Sequence, residues 1–168
     1  MRLSVKTLFI GGIKSGKSKL AEEFVLNKQS LKPYYIATSE FIDEGIQERI
    51  TLHKEQRKNT FITIEEPLNL YQNISTYTTP ILIECLTIWL NNMLYHKKSH
   101  HDIFQEIDLL LTLNQDITFV LNDVGSGIIP DNALAREFVD LSGKIAQKIA
   151  LNCDKVYFCI AGLAKEMK

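Results

Sequence analysis

Apolar and polar positions along this chain switch between two periods, and the switching predicts an α/β fold. Short apolar runs bounded by turn residues read as buried strands at Val5–Ile10, Pro33–Ala37, Ile81–Cys85, Ile117–Leu121 and Lys155–Ile160. Thr60–Ile64 alternates like a further strand. Helical spacing fills the intervals. Lys17–Asn27 sets Leu20, Ala21, Phe24 and Val25 on one face, and Glu40–Lys58 repeats Ile42, Ile46 and Ile50 at four-residue spacing. Leu86–Tyr95 and His100–Leu113 follow, with a shorter helix over Pro67–Tyr77. A strong helix starts near Asp131 and runs through Leu134, Phe138, Leu141, Ile145 and Ile149 to a stop at Asn152. After Ile160 come Gly162 and a lysine-bearing tail. Strands alternating with helices predict a mainly parallel sheet covered by helices on both faces. The 168 residues, with no repeat or linker, predict one domain over 1–168 with a core of its own.

The first strand-to-helix junction carries the strongest chemical signal. Gly11-Gly12-Ile13-Lys14-Ser15-Gly16-Lys17-Ser18 satisfies G-x-x-x-x-G-K-[ST] in full, between a strand and a helix as that motif requires. Gly11 and Gly16 allow backbone conformations in which successive N–H groups face one anion, and the helix N-terminus adds its dipole. Lys17 supplies charge for the β- and γ-phosphates, and Ser18 a hydroxyl for Mg²⁺. The motif predicts a phosphate-loop (P-loop) NTPase-type fold that binds a nucleoside triphosphate.

Ligands of such sheets gather beyond the carboxyl ends of the strands. That rule draws attention to Thr38-Ser39-Glu40, Glu65-Glu66, Glu84 and the glycine-containing loop Asn122–Pro130. Glu84 closes the apolar run Ile81-Leu82-Ile83, where an acid suits Mg²⁺ held directly or through water; the alternative is a solvated acid at a strand end. In Asn122–Pro130, Asp123 is a candidate contact for substrate or metal, and an ordinary strand-to-helix connection explains the stretch equally well. Arg49, His53 and Arg57 fall at i, i+4 and i+8, so they share one helical stripe with Lys54 beside it. Two guanidiniums around an imidazole suit a polyphosphate, and neighbouring cations push His53 toward its neutral, nucleophilic form. On spacing alone the simpler account is a solvated basic face.

Composition narrows the classes. Apolar residues make up 45% and charged residues 23%, ordinary for a globular chain, and a net charge of −1 argues against a generic nucleic-acid or anionic-membrane surface. No apolar stretch approaches the ~20 residues that span a bilayer, and the N-terminal apolar run is too short for a signal peptide. A cytoplasmic protein is expected. Cys85, Cys153 and Cys159 lack paired metal-ligand spacing and fit reduced core thiols. His96, His100 and His101, among Lys97, Lys98 and Ser99, read as a polar inter-helix loop rather than a metal cluster.

Taken in order, these segments resemble the bifunctional adenosylcobinamide kinase/adenosylcobinamide-phosphate guanylyltransferase family of cobalamin biosynthesis. The resemblance rests on the P-loop, Tyr35-Ile36-Ala37-Thr38-Ser39, Arg49-Ile50-Thr51-Leu52-His53-Lys54-Glu55-Gln56-Arg57, Leu82-Ile83-Glu84-Cys85-Leu86-Thr87 and Asn122–Pro130. It implies that His53 attacks the α-phosphate of GTP and holds GMP as a phosphoramidate before passing it to adenosylcobinamide phosphate. It also implies that the same chain phosphorylates adenosylcobinamide, with ATP or GTP as donor, and that it assembles as a homotrimer. Gly11, Gly12, Ile13, Lys14, Ser15, Gly16, Lys17 and Ser18 would hold the triphosphate, and Ser18 and Glu84 the Mg²⁺. Thr38, Ser39, Glu40, Arg49, Lys54, Glu55, Gln56, Arg57 and Glu65 would complete the nucleotide site. Three positions depart from the family's common pattern: Leu52 stands where some members carry a second histidine, Asp123 where glutamate is common, and Lys14 where arginine is frequent. The residues by themselves also accommodate a P-loop kinase for another small metabolite, or a nucleotide-dependent switch without transfer chemistry.

Overall fold

The protein was analysed as a computed structural model that describes residues 4–28, 31–40, 55 and 57–168. Most of the helix expected over Glu40–Lys58, including Arg49, His53, Lys54 and Gln56, lies outside the described residues. Strands β1 (Lys6–Gly11), β2 (Tyr34–Ala37), β3 (Ile62–Glu65), β4 (Ile81–Glu84), β5 (Ile117–Asn122), β6 (Lys155–Ile160) and β7 (Leu163–Glu166) form one sheet. Their order is β3-β2-β4-β5-β1-β6-β7. Every pairing is parallel except β6 with β7. The helices among the described residues are α1 (Lys17–Leu26), α2 (Leu70–Ile74), α3 (Leu86–Tyr95), α4 (His100–Thr112) and α5 (Ala133–Asn152).

Strand periodicity divides the core between the two faces. Leu8, Ile36, Ile81, Ile83, Phe119 and Leu121 pack in one cluster with Trp89 and Leu90 of α3, Ile103 and Ile107 of α4, and Ile145 and Ile149 of α5. Their strand neighbours Phe9, Tyr35, Leu82 and Val120 point the other way, against Ala21 and Val25 of α1. A sheet buried on both faces explains the continuous apolar runs in the sequence. Ser99 begins α4 with a capping box: its hydroxyl accepts from the Asp102 N–H, and the Asp102 carboxylate accepts from the Ser99 N–H at 3.0 Å. Among the described residues, no helix is long and apolar enough to cross a membrane.

The C-terminal tail corrects one expectation. Leu163–Glu166 is a seventh strand, joined to β6 by a two-residue turn in which Ala161 (φ 52°) and Gly162 (φ 79°) are both left-handed. That is the turn whose twist suits a hairpin. All four residues of β7 are exposed, so no buried face imposes a readable period. Glu166 ties the edge strand to β6 by accepting from Tyr157 Oη at 3.0 Å and Lys155 Nζ at 3.3 Å. Alanine at the first turn position hides the usual Asn-Gly signal.

Candidate active site

The P-loop leaves the carboxyl end of β1 and turns back on itself, with the Ser15 N–H donating to the Gly12 carbonyl at 3.2 Å. Gly16 adopts φ 90°, and a Cβ there would lie 2.9 Å from Gly162 Cα. At Gly11 a Cβ would stand 2.3 Å from the Cys159 carbonyl oxygen and 2.8 Å from Ser15 Oγ. Both glycines are therefore required by packing as well as by conformation. The β6–β7 turn braces the loop from one side, because the Gly162 N–H donates to the Ser15 carbonyl at 2.9 Å. Lys17 is buried at the start of α1, and its Nζ donates to the Gly12 carbonyl at 3.2 Å.

Two strands from β1, Glu84 closes β4 and meets α1. Ser18 Oγ donates to Glu84 Oε1 at 2.7 Å, which joins the two residues expected to share a metal. Glu84 Oε2 is buried and has no hydrogen-bond partner among the described residues. Burial raises the Glu84 pKa from 4.5 to about 7, against the opposing pull of the Ser18 hydrogen bond and the Lys17 charge. A hydroxyl and a desolvated carboxylate with a free oxygen form a hard-oxygen pair that fits Mg²⁺. Among the described residues no group of three His, Cys, Asp or Glu gathers as a metal cluster.

Thr38 also reaches this edge, but its side chain is engaged within the protein. Its Oγ1 accepts from the Cys85 N–H at 3.0 Å and donates to the Cys85 carbonyl at 2.9 Å, while its N–H donates to the Glu84 carbonyl at 3.1 Å. Asn92, buried in α3, donates to the Thr38 carbonyl at 2.7 Å and the Pro67 carbonyl at 3.2 Å. Ser39 is half-buried beside it. Glu40 pairs with His96 Nε2 at 2.8 Å, a link from the β2 loop to the end of α3.

Arg57 lies over the Tyr35 ring, 3.8 Å from its centroid, donates to Tyr35 Oη at 2.9 Å, and faces Glu22 of α1 at 3.6 Å. Glu55 and Glu65 line a separate pocket of about 540 Å³ with Lys58, Phe61, Thr63 and Ile64. Glu65 belongs to the outer strand β3, four strand positions from β1, a lateral offset of ~19 Å at the usual strand spacing. The structure thus gathers Gly11–Ser18 with Glu84, while Glu65 closes the outer strand β3 along the same carboxyl edge. The two joints that sequence reading missed are Asn92 and the His96–Glu40 pair. Asn92 carried a faint signal, as a carboxamide on the apolar face shared by Trp89 and Met93.

A mainly parallel sheet with this loop, lysine, serine and strand-end acid defines a protein of the P-loop NTPase-type fold. A solved structure, flagellar accessory protein FlaH from Methanocaldococcus jannaschii, shares the fold with a TM-score of 0.52 at 11% identity, covering 100% of this chain and 80% of that one. Residues 7–167 match the family model described as cobinamide kinase / cobinamide phosphate guanyltransferase. The chain is 34% identical to the bifunctional adenosylcobalamin biosynthesis protein CobP of Pseudomonas aeruginosa over 170 residues, 98% of each chain. It is 32% identical over 180 residues to the bifunctional adenosylcobalamin biosynthesis protein CobU of Salmonella typhimurium, covering 96% of this chain and 98% of that one. The chain belongs to the cobinamide kinase / cobinamide phosphate guanyltransferase family and is a transferase.

Proposed function

We propose that this chain performs both transfers for which its family is named. It phosphorylates adenosylcobinamide on its aminopropanol hydroxyl, with ATP or GTP as donor, and then transfers GMP from GTP to the resulting phosphate to give adenosylcobinamide-GDP. The observation that supports this reading best is the Ser18–Glu84 pair behind a complete P-loop, within a family match that runs almost end to end. The loop amides and Lys17 bind and orient the triphosphate. Ser18 and Glu84 hold Mg²⁺, which when bound neutralises charge on the phosphoryl oxygens.

His53 is the nucleophile of the guanylyl step. Its neutral imidazole nitrogen bonds to the α-phosphorus of GTP as the bond to the β-phosphate oxygen breaks and pyrophosphate leaves. An oxygen of the acceptor's phosphate then attacks the same phosphorus, the P–N bond breaks, and the imidazole is regenerated. Arg49, Lys54, Glu55, Gln56, Arg57, Glu65 and the Thr38–Glu40 loop complete the nucleotide contacts. Of these, Thr38 acts by positioning, through Cys85 and Glu84. The protein works in the cytoplasm as a homotrimer, each chain a single domain over residues 1–168.

Incubation with GTP and Mg²⁺ followed by intact mass measurement tests the covalent step. The wild type is expected to gain one guanylyl group that is lost in acid and kept in base. His53→Ala should lose the label and the guanylyl transfer while retaining kinase activity, because direct phosphoryl transfer to a hydroxyl needs no protein nucleophile. A label that persists in the variant, or that maps to Lys54, would overturn the assignment.

A further inference from the structure

We propose that Ile128, Ile129 and Leu134 form the platform on which the macrocycle of the acceptor rests while its side chain reaches the nucleotide. The inference rests on the family reading above and adds a place for the second substrate.

The three side chains are 97%, 80% and 70% exposed, although isoleucine and leucine are residues that folding ordinarily buries. The segment that presents them is held at both ends. At its start Asp123 accepts from the Gly125 N–H at 3.2 Å and from the Ser126 hydroxyl. At its end Arg136 donates to the Pro130 carbonyl at 2.9 Å and the Asp131 carbonyl at 2.6 Å, and Asn132 caps α5 by accepting from the Ala135 N–H at 2.8 Å. The segment is thus anchored on either side of Ile128 and Ile129, and it presents them at the surface of the single chain, as a recognition surface does.

Topology starts the segment that carries this surface beside the P-loop. β5 is hydrogen-bonded to β1, and beyond its end the Asp123 N–H donates to the Gly11 carbonyl at 2.9 Å, so the segment leaves the sheet next to the P-loop. Ser18 and Glu84 lie on the β4 side of the loop, in the order β4-β5-β1-β6. Ser18 and Glu84 would hold the metal that neutralises the phosphoryl oxygens, so the transferable end of the triphosphate would face β5 and β4. The opposite side is closed by the β6–β7 turn, whose Gly162 packs on Gly16. An acceptor that must reach that end comes in over β5. A cobinamide is a large ring edged with methyl groups and amides, with its hydroxyl on a flexible arm. Such a ligand needs a broad apolar rest beside the phosphates more than a narrow cleft.

The test uses the full-length Ile128→Ser/Ile129→Ser double variant, with Ile128→Val/Ile129→Leu as the conservative control. Cobinamide binding is read by equilibrium dialysis from the ligand's own colour, GTP binding by calorimetry, and assembly by light scattering. The serine variant should bind cobinamide about tenfold more weakly or worse, with KM for cobinamide raised in parallel. GTP affinity, kcat and oligomeric mass should not change, and the control should behave like the wild type. Unchanged cobinamide affinity in the serine variant overturns the proposal, and so does a drop in oligomeric mass, which would assign the patch to a second copy of the chain. A wild type that takes the GMP label yet binds no cobinamide would overturn the acceptor reading itself, and the platform with it.

Discussion

Glu84 makes a quantitative demand on stability. Burial lifts its carboxyl pKa from 4.5 to about 7 in the folded protein. Between those two values the folded state keeps a proton that the unfolded chain has released. The stability of the metal-free protein is therefore full below the lower value, falls as pH rises through the window, and is flat above it. A displacement of about 2.5 pH units at ~1.36 kcal/mol each amounts to about 3 kcal/mol. Glu84→Gln keeps the shape and hydrogen bonding but carries no charge, so it should remove this slope. In EDTA at about pH 8 the variant should exceed the wild type by up to about 3 kcal/mol, and the two should converge toward about pH 4.5. Mg²⁺ should shift the balance the other way, stabilising the wild type at about pH 8 and leaving the variant unmoved. Urea unfolding across this range, with EDTA or Mg²⁺ and with m-values compared, measures all of it. Parallel pH profiles for the two proteins would refute the reasoning.

Gly11→Ala forces a Cβ to 2.3 Å from the Cys159 carbonyl, so the loop or β6 must move; a loss of about 1–3 kcal/mol in thermal stability is expected, with weakened GTP binding by calorimetry. Ala161→Asn relieves an alanine held at φ 52° and restores the favoured Asn-Gly turn. It should raise the unfolding free energy by about 0.5–1 kcal/mol, seen as a higher urea midpoint at constant m, and leave GTP affinity alone; an unchanged or lower midpoint would count against the strain.

What could be read from the sequence was what short stretches encode by themselves. The P-loop, the strand that ends in Glu84, and the helix faces that carry Ala21 and Val25 or Leu141 and Ile145 each declare themselves within about a dozen residues, because period and turn chemistry are local. The seventh strand could not be read, since an exposed edge strand buries nothing and its turn begins with alanine. Nor could the distance between Glu65 and the P-loop. Both follow strands, but strand order, which no local pattern encodes, sets β3 and β1 four positions apart.

Strand order also explains why so many buried polar contacts gather at the carboxyl edge. Glu84 must meet Ser18 across an intervening strand, so no backbone pairing between β4 and β1 fixes their separation. That separation is set instead by α1, whose Ala21 and Val25 seat on Leu82 and Val120, and by joints that hold the end of β4. Thr38 binds the Cys85 backbone from β2, and Thr87 accepts from the Asn122 N–H at 2.8 Å, tying α3 to the end of β5. Asn92 secures the Thr38 carbonyl from beneath. Each joint satisfies backbone groups that burial would otherwise leave unpaired, at a cost of ~1–3 kcal/mol apiece. Each also narrows the positions Glu84 can occupy. The carboxylate is thus held in place by the same contacts that close the core, and a change at Thr38 or Asn92 would loosen the end of β4 that carries it.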